Sequence, residues 1–301
     1  MDILKIFSQI NTNTTEASEK QYLVKLNKIY DDKPILNLDL LLDTENIIKF
    51  LSQDKFKSSS TKRSYLTPVI LLLRKFHPKS EALKVYEKMN NEFRNDYMKR
   101  IDDQQKNEKE LDNWVKWSEL VEIREKLTDE AFLMNNQTFF KNNKEKKLLD
   151  YALISGLYTY MPPVRLDYNN MDIYYDKELK ELPIDKNYVL INKKEKMRII
   201  LNVYKTSKNY DQIILPTPAK LTKLIKFYLK FNKKIFDGVT ENNLSKLISK
   251  VFTIGEKKVN LNLIRHIYIS NKVSLKTIEK NKKLSEAMSH SPQMQTGYIR
   301  L

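Results

Sequence analysis

The chain contains no cysteine, which excludes disulfides, thiolate chemistry and cysteine-based zinc sites. That usage fits a reducing, intracellular compartment. Histidine is almost as scarce, and His77, His266 and His290 are too scattered to form a metal-binding pattern. No apolar run approaches the roughly eighteen residues of a membrane span, and the first twenty or so residues lack a basic segment followed by a long apolar one. A soluble protein without a membrane partner is therefore expected. The patterns G-x-S-x-G, the phosphate-binding P-loop, H-E-x-x-H and the zinc-deaminase signature are all missing, so the standard nucleophile, phosphate-cradle and metal readings lack their residues. Neither a metal nor a cofactor is expected, and the sequence has no internal repeat.

What is present is charge of one sign, and it is unevenly placed. The 301 residues carry a net charge of +16, and residues 191–301 alone hold 23 Lys/Arg against 7 Asp/Glu. The basic and acidic residues of the first 190 positions cancel, so the whole surplus lies in the last third and makes a polyanion the leading partner there. Tyr188, Tyr204, Tyr210, Tyr228, Tyr268 and Tyr298 are interleaved with those lysines. A chain that is simply rich in lysine for solubility is the competing reading of the same composition.

With 41% hydrophobic residues the chain can bury a substantial core, and its length favours two domains. Apolar residues at helical spacing predict helices at 19–30 with Ser18 as N-cap, at 45–53, at 60–76 with a kink or restart at Pro68, and at 81–101. Residues 1–101 thus read as an all-helical domain, and the polar segment 102–112 reads as a linker. The remainder, 113–301, opens with a helix capped by Ser118, followed by a helix at 144–160 stopped by Pro162-Pro163. The runs MDIYY, YVLIN, MRIILNVY and DQIILP then predict a small antiparallel sheet. Helices are expected at 219–236, 241–253, 261–271, 274–280 and 282–289. The fold class is mainly α with a small antiparallel β-sheet, α+β. On the helix at 219–236, Lys220, Lys223, Lys226, Lys230 and Lys233 form one stripe, either a solvated face or a phosphate-contacting one.

Cleaving a phosphodiester without a metal makes specific demands. Negative charge gathers on the non-bridging oxygens, which bidentate guanidinium groups stabilise better than lysines do. The leaving oxygen needs a proton donor, and a tyrosine becomes a nucleophile where cations stabilise its phenolate. Candidates for all these tasks lie in the charged half: Arg165, Lys205, Arg265, His290 and Tyr298. Taken singly, each has a structural reading as well. Arg165 can cap a helix or pair with Asp167, Lys205 can be a solvated turn lysine, His290 can cap a helix, and Tyr298 can be a core aromatic. Arg265 falls on an apolar helix face and calls for a partner.

Order and spacing add to this. LNLIRHIYISN, followed some twenty residues later by MSHSPQMQTGYIRL, resembles the C-terminal signature of the tyrosine recombinases, the phage-type integrase family. LISGLYTYMPPVRLDYNNMDI resembles the region of that family's first arginine, and YKTSKNYDQIILP resembles its β-hairpin with a Lys-Thr pair. The Pro-Pro-x-Arg form is similar to recombinases of large DNA viruses, virophages and related mobile elements. The motifs cover residues 110–301, and residues 1–101 are similar only in their helical, core-binding-like character.

The resemblance implies a site-specific DNA recombinase or integrase that cleaves and rejoins strands through a 3′-phosphotyrosyl intermediate. Arg165 and Arg265 would hold the scissile phosphate, Lys205 would protonate the leaving 5′-hydroxyl, His290 would hydrogen-bond a phosphate oxygen, and Tyr298 would attack. Lys208 is the second choice for the general acid, because Lys205 is the one followed by Thr. Lys62 and Arg63 in the first domain, with Lys208, Lys220 and Lys223 in the second, are the expected DNA contacts. The implied partners are double-stranded DNA and further copies of the chain, as a tetramer on DNA. Type IB topoisomerases use a similar catalytic set, and a catalytically inert DNA-binding relative is the third reading.

This sequence departs from the family pattern in four places. Asn262 stands where a histidine usually precedes the second arginine, and an amide cannot take the tyrosine's proton. Tyr168 stands where an acidic residue commonly follows the first arginine. The interval from His290 to Tyr298 is one residue short, and only Ile299, Arg300 and Leu301 follow the tyrosine where many members of the family continue with a docking helix, so either assembly uses another surface or the sequence is truncated.

Overall fold

The computed structural model describes residues 3–10, 14–194, 196–207 and 211–273. Lys208, His290 and Tyr298, and the helices expected at 274–280 and 282–289, lie outside the described residues. The chain divides into two compact units, Met1–Lys106 and Asn107–Leu301, each with its own hydrophobic core.

The first unit is helical: α1 (Ile3–Ile10), α2 (Glu16–Ile29), α3 (Thr44–Leu51), α4 (Ser59–Phe76) and α5 (Glu81–Asp102), with a 3₁₀ turn at Leu38–Leu42. Helix α2 starts earlier than its apolar pattern suggested. Its N-cap is Thr15, whose hydroxyl accepts the Ser18 N–H at 3.3 Å, so Ser18 is inside the first turn and not the cap. Helix α4 runs on through Pro68 instead of restarting there. Pro68 itself is buried, and the packing of Leu66, Val69, Ile70, Leu72 and Leu73 around it offsets the roughly 3 kcal/mol that a proline costs inside a helix. Buried Tyr86 ties α5 to the 3₁₀ turn, donating to the carbonyls of Leu41 at 3.1 Å and Asp43 at 3.2 Å.

The segment 102–112, expected as a linker, is structured over half its length. Helix α6 (Glu108–Asn113) begins with a capping box in which the Asn107 side chain accepts the Glu110 N–H and the Glu110 carboxylate accepts the Asn107 N–H. Those polar residues, which read as linker by composition, are the ones a capped helix start requires. Helix α6 belongs to the second unit, where Asn113 accepts the Lys258 N–H at 2.7 Å and Glu110 lies 3.6 Å from His266.

Helices α7 (Trp117–Phe132) and α8 (Asn143–Tyr160) form the helical base of the second unit. The start of α7 is set not by Ser118, which is inside the helix, but by the Glu119 carboxylate accepting the Lys116 N–H. Asn142 caps α8 by accepting the N–H groups of Lys144 and Glu145. Four strands follow: β1 (Asp172–Tyr175), β2 (Tyr188–Ile191), β3 (Met197–Leu201) and β4 (Ile213–Pro216), in the order β1-β2-β3-β4. The sheet is mixed, not wholly antiparallel, because β1 pairs with β2 in parallel. Residues 176–187 reverse the chain before β2 begins, looping through a 3₁₀ turn at Leu179–Glu181, so β1 and β2 run in the same direction.

Alternation along these strands covers both faces of the sheet. Val189, Ile191, Met197, Ile199 and Leu201 enter the main core, whereas Tyr188, Leu190 and Ile200 pack with Leu182 in a separate cluster. Helix α9 (Ala219–Tyr228) lies on α8, so closely that a Cβ on Gly156 would stand 2.7 Å from a Leu224 methyl. The expected helix at 219–236 ends at Tyr228. The chain turns there because Phe231 stacks on Phe140 with ring centres 4.7 Å apart, and Ile235 bridges to Met171. Helix α10 (Glu241–Val251), a two-residue hairpin of β5 (Thr253–Ile254) and β6 (Lys257–Lys258), and α11 (Leu261–Lys272) complete the described chain. The fold is thus α+β, mostly helical with a small mixed sheet. Among the described residues no helix is long and apolar enough to cross a membrane.

Candidate active site

Three separate segments bring the two arginines singled out in the sequence to one place. Arg165 follows α8 in the Pro162-Pro163 turn, Arg265 is on α11, and Tyr204 and Thr206 come from the turn between β3 and β4. All four line a single cavity of about 290 Å³, together with Asp167 and with Leu201 and Ile213 from the adjoining strand ends. Arg165 and Arg265 are separated by a hundred positions in sequence. Their convergence is the outcome of packing, since α10 contacts α8 and α11 contacts both α10 and α7.

The turn that carries Arg165 is held by two tyrosines. Tyr158 donates its hydroxyl to the Arg165 carbonyl at 2.8 Å, and Tyr168 donates to the Pro162 carbonyl at 3.1 Å. Their rings meet edge to face with centres 5.5 Å apart. Burial pushes both phenols well above the usual tyrosine range, so they remain neutral donors. The Arg165 N–H donates to the Asp167 carboxylate at 3.2 Å. Burial holds that carboxyl above its ordinary value, while the bond from Arg165 pulls the other way. Asp167 therefore holds the backbone of Arg165. Among the described residues neither the Arg165 nor the Arg265 guanidinium forms an ion pair, and Arg165 is exposed while Arg265 is half-buried. Asp167 is the acidic residue in the same lining and attracts Arg165, and the two arginines that line the cavity with it suit an anionic ligand.

Arg265 is aimed by the packing of α11. Leu263, Ile264 and Ile267 are buried, and Tyr268 meets Trp117 of α7 edge on at 5.2 Å. Asn260 caps the helix, accepting the Leu263 N–H at 3.0 Å. Asn262 is exposed on the first turn of α11 and does not line the cavity. Lys205 is exposed between Tyr204 and Thr206, which line the cavity, and does not itself line it. The base of its turn is ordered: Tyr204 donates to the Asp211 carbonyl at 2.7 Å, and Asn187 donates to the Val203 carbonyl and accepts the N–H groups of Asn202 and Val203.

No protein-family model and no curated protein matches this sequence. Among the described residues no cluster of three His, Asp or Glu side chains could hold a metal ion.

The remaining expected DNA contacts are dispersed. In the first unit, Lys62 stands 5.6 Å from the Phe93 ring, and Arg63 has a buried Nε without a hydrogen-bond partner. In the second, Lys220 lies 3.8 Å from Glu125, and Lys223 sits over Phe132 at 4.8 Å. Neither of those two lysines lines the arginine cavity.

Sequence reasoning passed over Tyr158 and Tyr168 as positioning residues, and took Tyr168 only as a departure from an acidic position. A tyrosine on each side of a Pro-Pro turn was the available signal. Replacing Tyr158 with phenylalanine leaves the Arg165 carbonyl without its donor. The expected loss is about 1–2 kcal/mol of stability, read as a lower urea midpoint with unchanged slope. An unchanged midpoint would show that the clamp does not constrain the turn.

Proposed function

We propose that this chain is a site-specific DNA recombinase that breaks and rejoins strands through a 3′-phosphotyrosyl bond. The observation that supports this reading best is the single cavity lined by both Arg165 and Arg265, with Tyr204 and Thr206, the neighbours of Lys205, in the same lining. In this reading the two guanidiniums grip the non-bridging oxygens of one phosphate and stabilise the charge that grows there in the transition state. The Tyr298 oxygen bonds to phosphorus, the bond from phosphorus to the 5′-oxygen breaks, and Lys205 gives that oxygen its proton. His290 hydrogen-bonds a phosphate oxygen. Asn262 has no basic atom for the phenol's proton, so that proton passes to solvent water while the two arginines stabilise the phenolate left behind. The phosphodiester energy is kept in the phosphotyrosine, and its reversal rejoins the strands. Duplex DNA is the substrate, and exchange between two sites requires further copies of the chain.

The test is trapping on nicked duplex substrates from which the cleaved end diffuses away. Wild-type protein is expected to run as a covalent protein–DNA adduct on denaturing gels, and Tyr298→Phe is expected to give none. No adduct from wild type on any site or at any salt concentration would leave a DNA-binding protein without catalysis. Relaxation of supercoiled plasmid by monomers without site preference would instead indicate a topoisomerase. The all-helical first unit favours the recombinase, since topoisomerases of the similar kind begin with a β-rich domain.

A further inference from the structure

A second basic concavity lies elsewhere on the second unit. Lys196 and Arg198 from the β2–β3 turn and β3, and Lys223, Lys226 and Lys230 from α9 and the turn after it, converge on a groove of about 880 Å³. No acidic side chain lines it among the described residues. It is remote from the arginine cavity by the register of the sheet. Met197, Arg198 and Pro216 line the groove, whereas Leu201 and Ile213 line the cavity, and these are opposite ends of the paired strands β3 and β4. At about 3.3 Å per residue the four steps from Met197 to Leu201 separate the two by roughly 13 Å of strand.

We propose that this groove binds a single-stranded nucleic-acid segment, separately from the duplex in the arginine cavity. Lys223 and Lys226 are three residues apart on α9, about 4.5 Å along its axis, and Lys230 follows in the turn after the helix. Five cations spread over one groove match a chain of phosphates better than one compact anion. Two of them rest on aromatic rings, Lys223 over Phe132 at 4.8 Å and Lys230 over Phe227 at 5.6 Å. Those contacts hold the ammonium groups against the wall. Phe132 is half-buried, with Lys223 over its ring and Phe227 packed against it at 5.1 Å, so it serves to position the lysine. Lys230 also donates to Asn135 at 3.1 Å, and Asn192, Thr217 and Thr222 add amide and hydroxyl groups able to meet base edges or phosphates. A duplex keeps the Watson–Crick edges of its bases paired, so these amide and hydroxyl groups reach them only on an unpaired strand, and this favours the single strand.

Fluorescence anisotropy on the full chain tests the assignment, with a labelled twelve-nucleotide oligothymidylate and a labelled hairpin duplex of similar length as probes. The double variant Lys196→Glu/Lys226→Glu is expected to bind the single strand at least tenfold more weakly and to lose at least threefold less affinity for the duplex than for the single strand. Arg165→Ala/Arg265→Ala is expected to keep single-strand affinity within about twofold. Unchanged single-strand affinity in the lysine variant overturns the proposal. So does an equal loss for both probes, which would mark a general basic surface, and so does an arginine variant that loses the single strand as severely. These readouts require no cleavage, so the groove can fail while the recombinase reading stands, and the reverse also holds.

Discussion

Arg265→Ala is expected to lower the rate of covalent adduct formation about 10²–10³-fold, the usual cost of removing one preorganised donor from a developing oxyanion. The substitution should not disturb the fold. Arg265 is half-buried at the cavity, it forms no ion pair among the described residues, and the apolar side of α11 is supplied by Leu263, Ile264 and Ile267. Alanine is also the best helix former. Arg265→Lys separates charge from geometry, because an ammonium keeps the positive charge but cannot present two parallel N–H groups to a phosphate. It is expected to recover only part of the loss, and Arg165→Ala is expected to resemble Arg265→Ala. Single-turnover cleavage of a nicked substrate measures all three. Near-normal cleavage by the alanine variants would show that the cavity does not hold the reacting phosphate.

Duplex binding is expected to weaken about 10³–10⁵-fold between roughly 50 and 200 mM salt, as for proteins that neutralise some six to ten phosphates. The basis is the concentration of the entire net charge of +16 in residues 191–301. Exposed lysines of this kind gain affinity by releasing condensed counterions, and added salt removes that gain. A titration by anisotropy gives the slope. A flat response would mean that the lysines serve solubility alone, which the composition by itself equally allows.

Much of the helical framework can be read directly from the sequence, because period and caps agree there. Helix α5 follows its apolar spacing from Ser80 onward, and α8 stops where Pro162-Pro163 requires it. The errors arise where distant parts of the chain decide. The lysine stripe suggests a helix running to 236, but Phe231 and Ile235 find partners at Phe140 and Met171, and those contacts draw the chain out of the helix. The parallel pairing of β1 with β2 depends on the path of residues 176–187, and no local pattern encodes it. The β5–β6 hairpin has two residues per strand, too few for alternation to register, although Gly255 at φ +58° marks its turn. Helix α6 was hidden by a polar composition that suits a linker and a capped helix equally.

For the site, the residue types and their order in the chain pointed to Arg165 and Arg265. That both face one cavity required the packing of α7, α8, α10 and α11. The groove was half legible: Lys223, Lys226 and Lys230 stood out as a stripe, but Lys196 and Arg198 come from a strand pairing the stripe does not reveal.

The tyrosine clamp on the Pro-Pro turn has a bearing on how tightly a phosphate can be held. An arginine on a loose loop must surrender backbone freedom each time it meets its ligand, and that surrender is subtracted from the affinity. With proline fixing two φ angles and Tyr158 and Tyr168 pinning both ends of the turn, the backbone of Arg165 is already immobilised when the chain has folded. Only the torsions of its side chain remain to be ordered on contact, so the turn acts as a rigid mount.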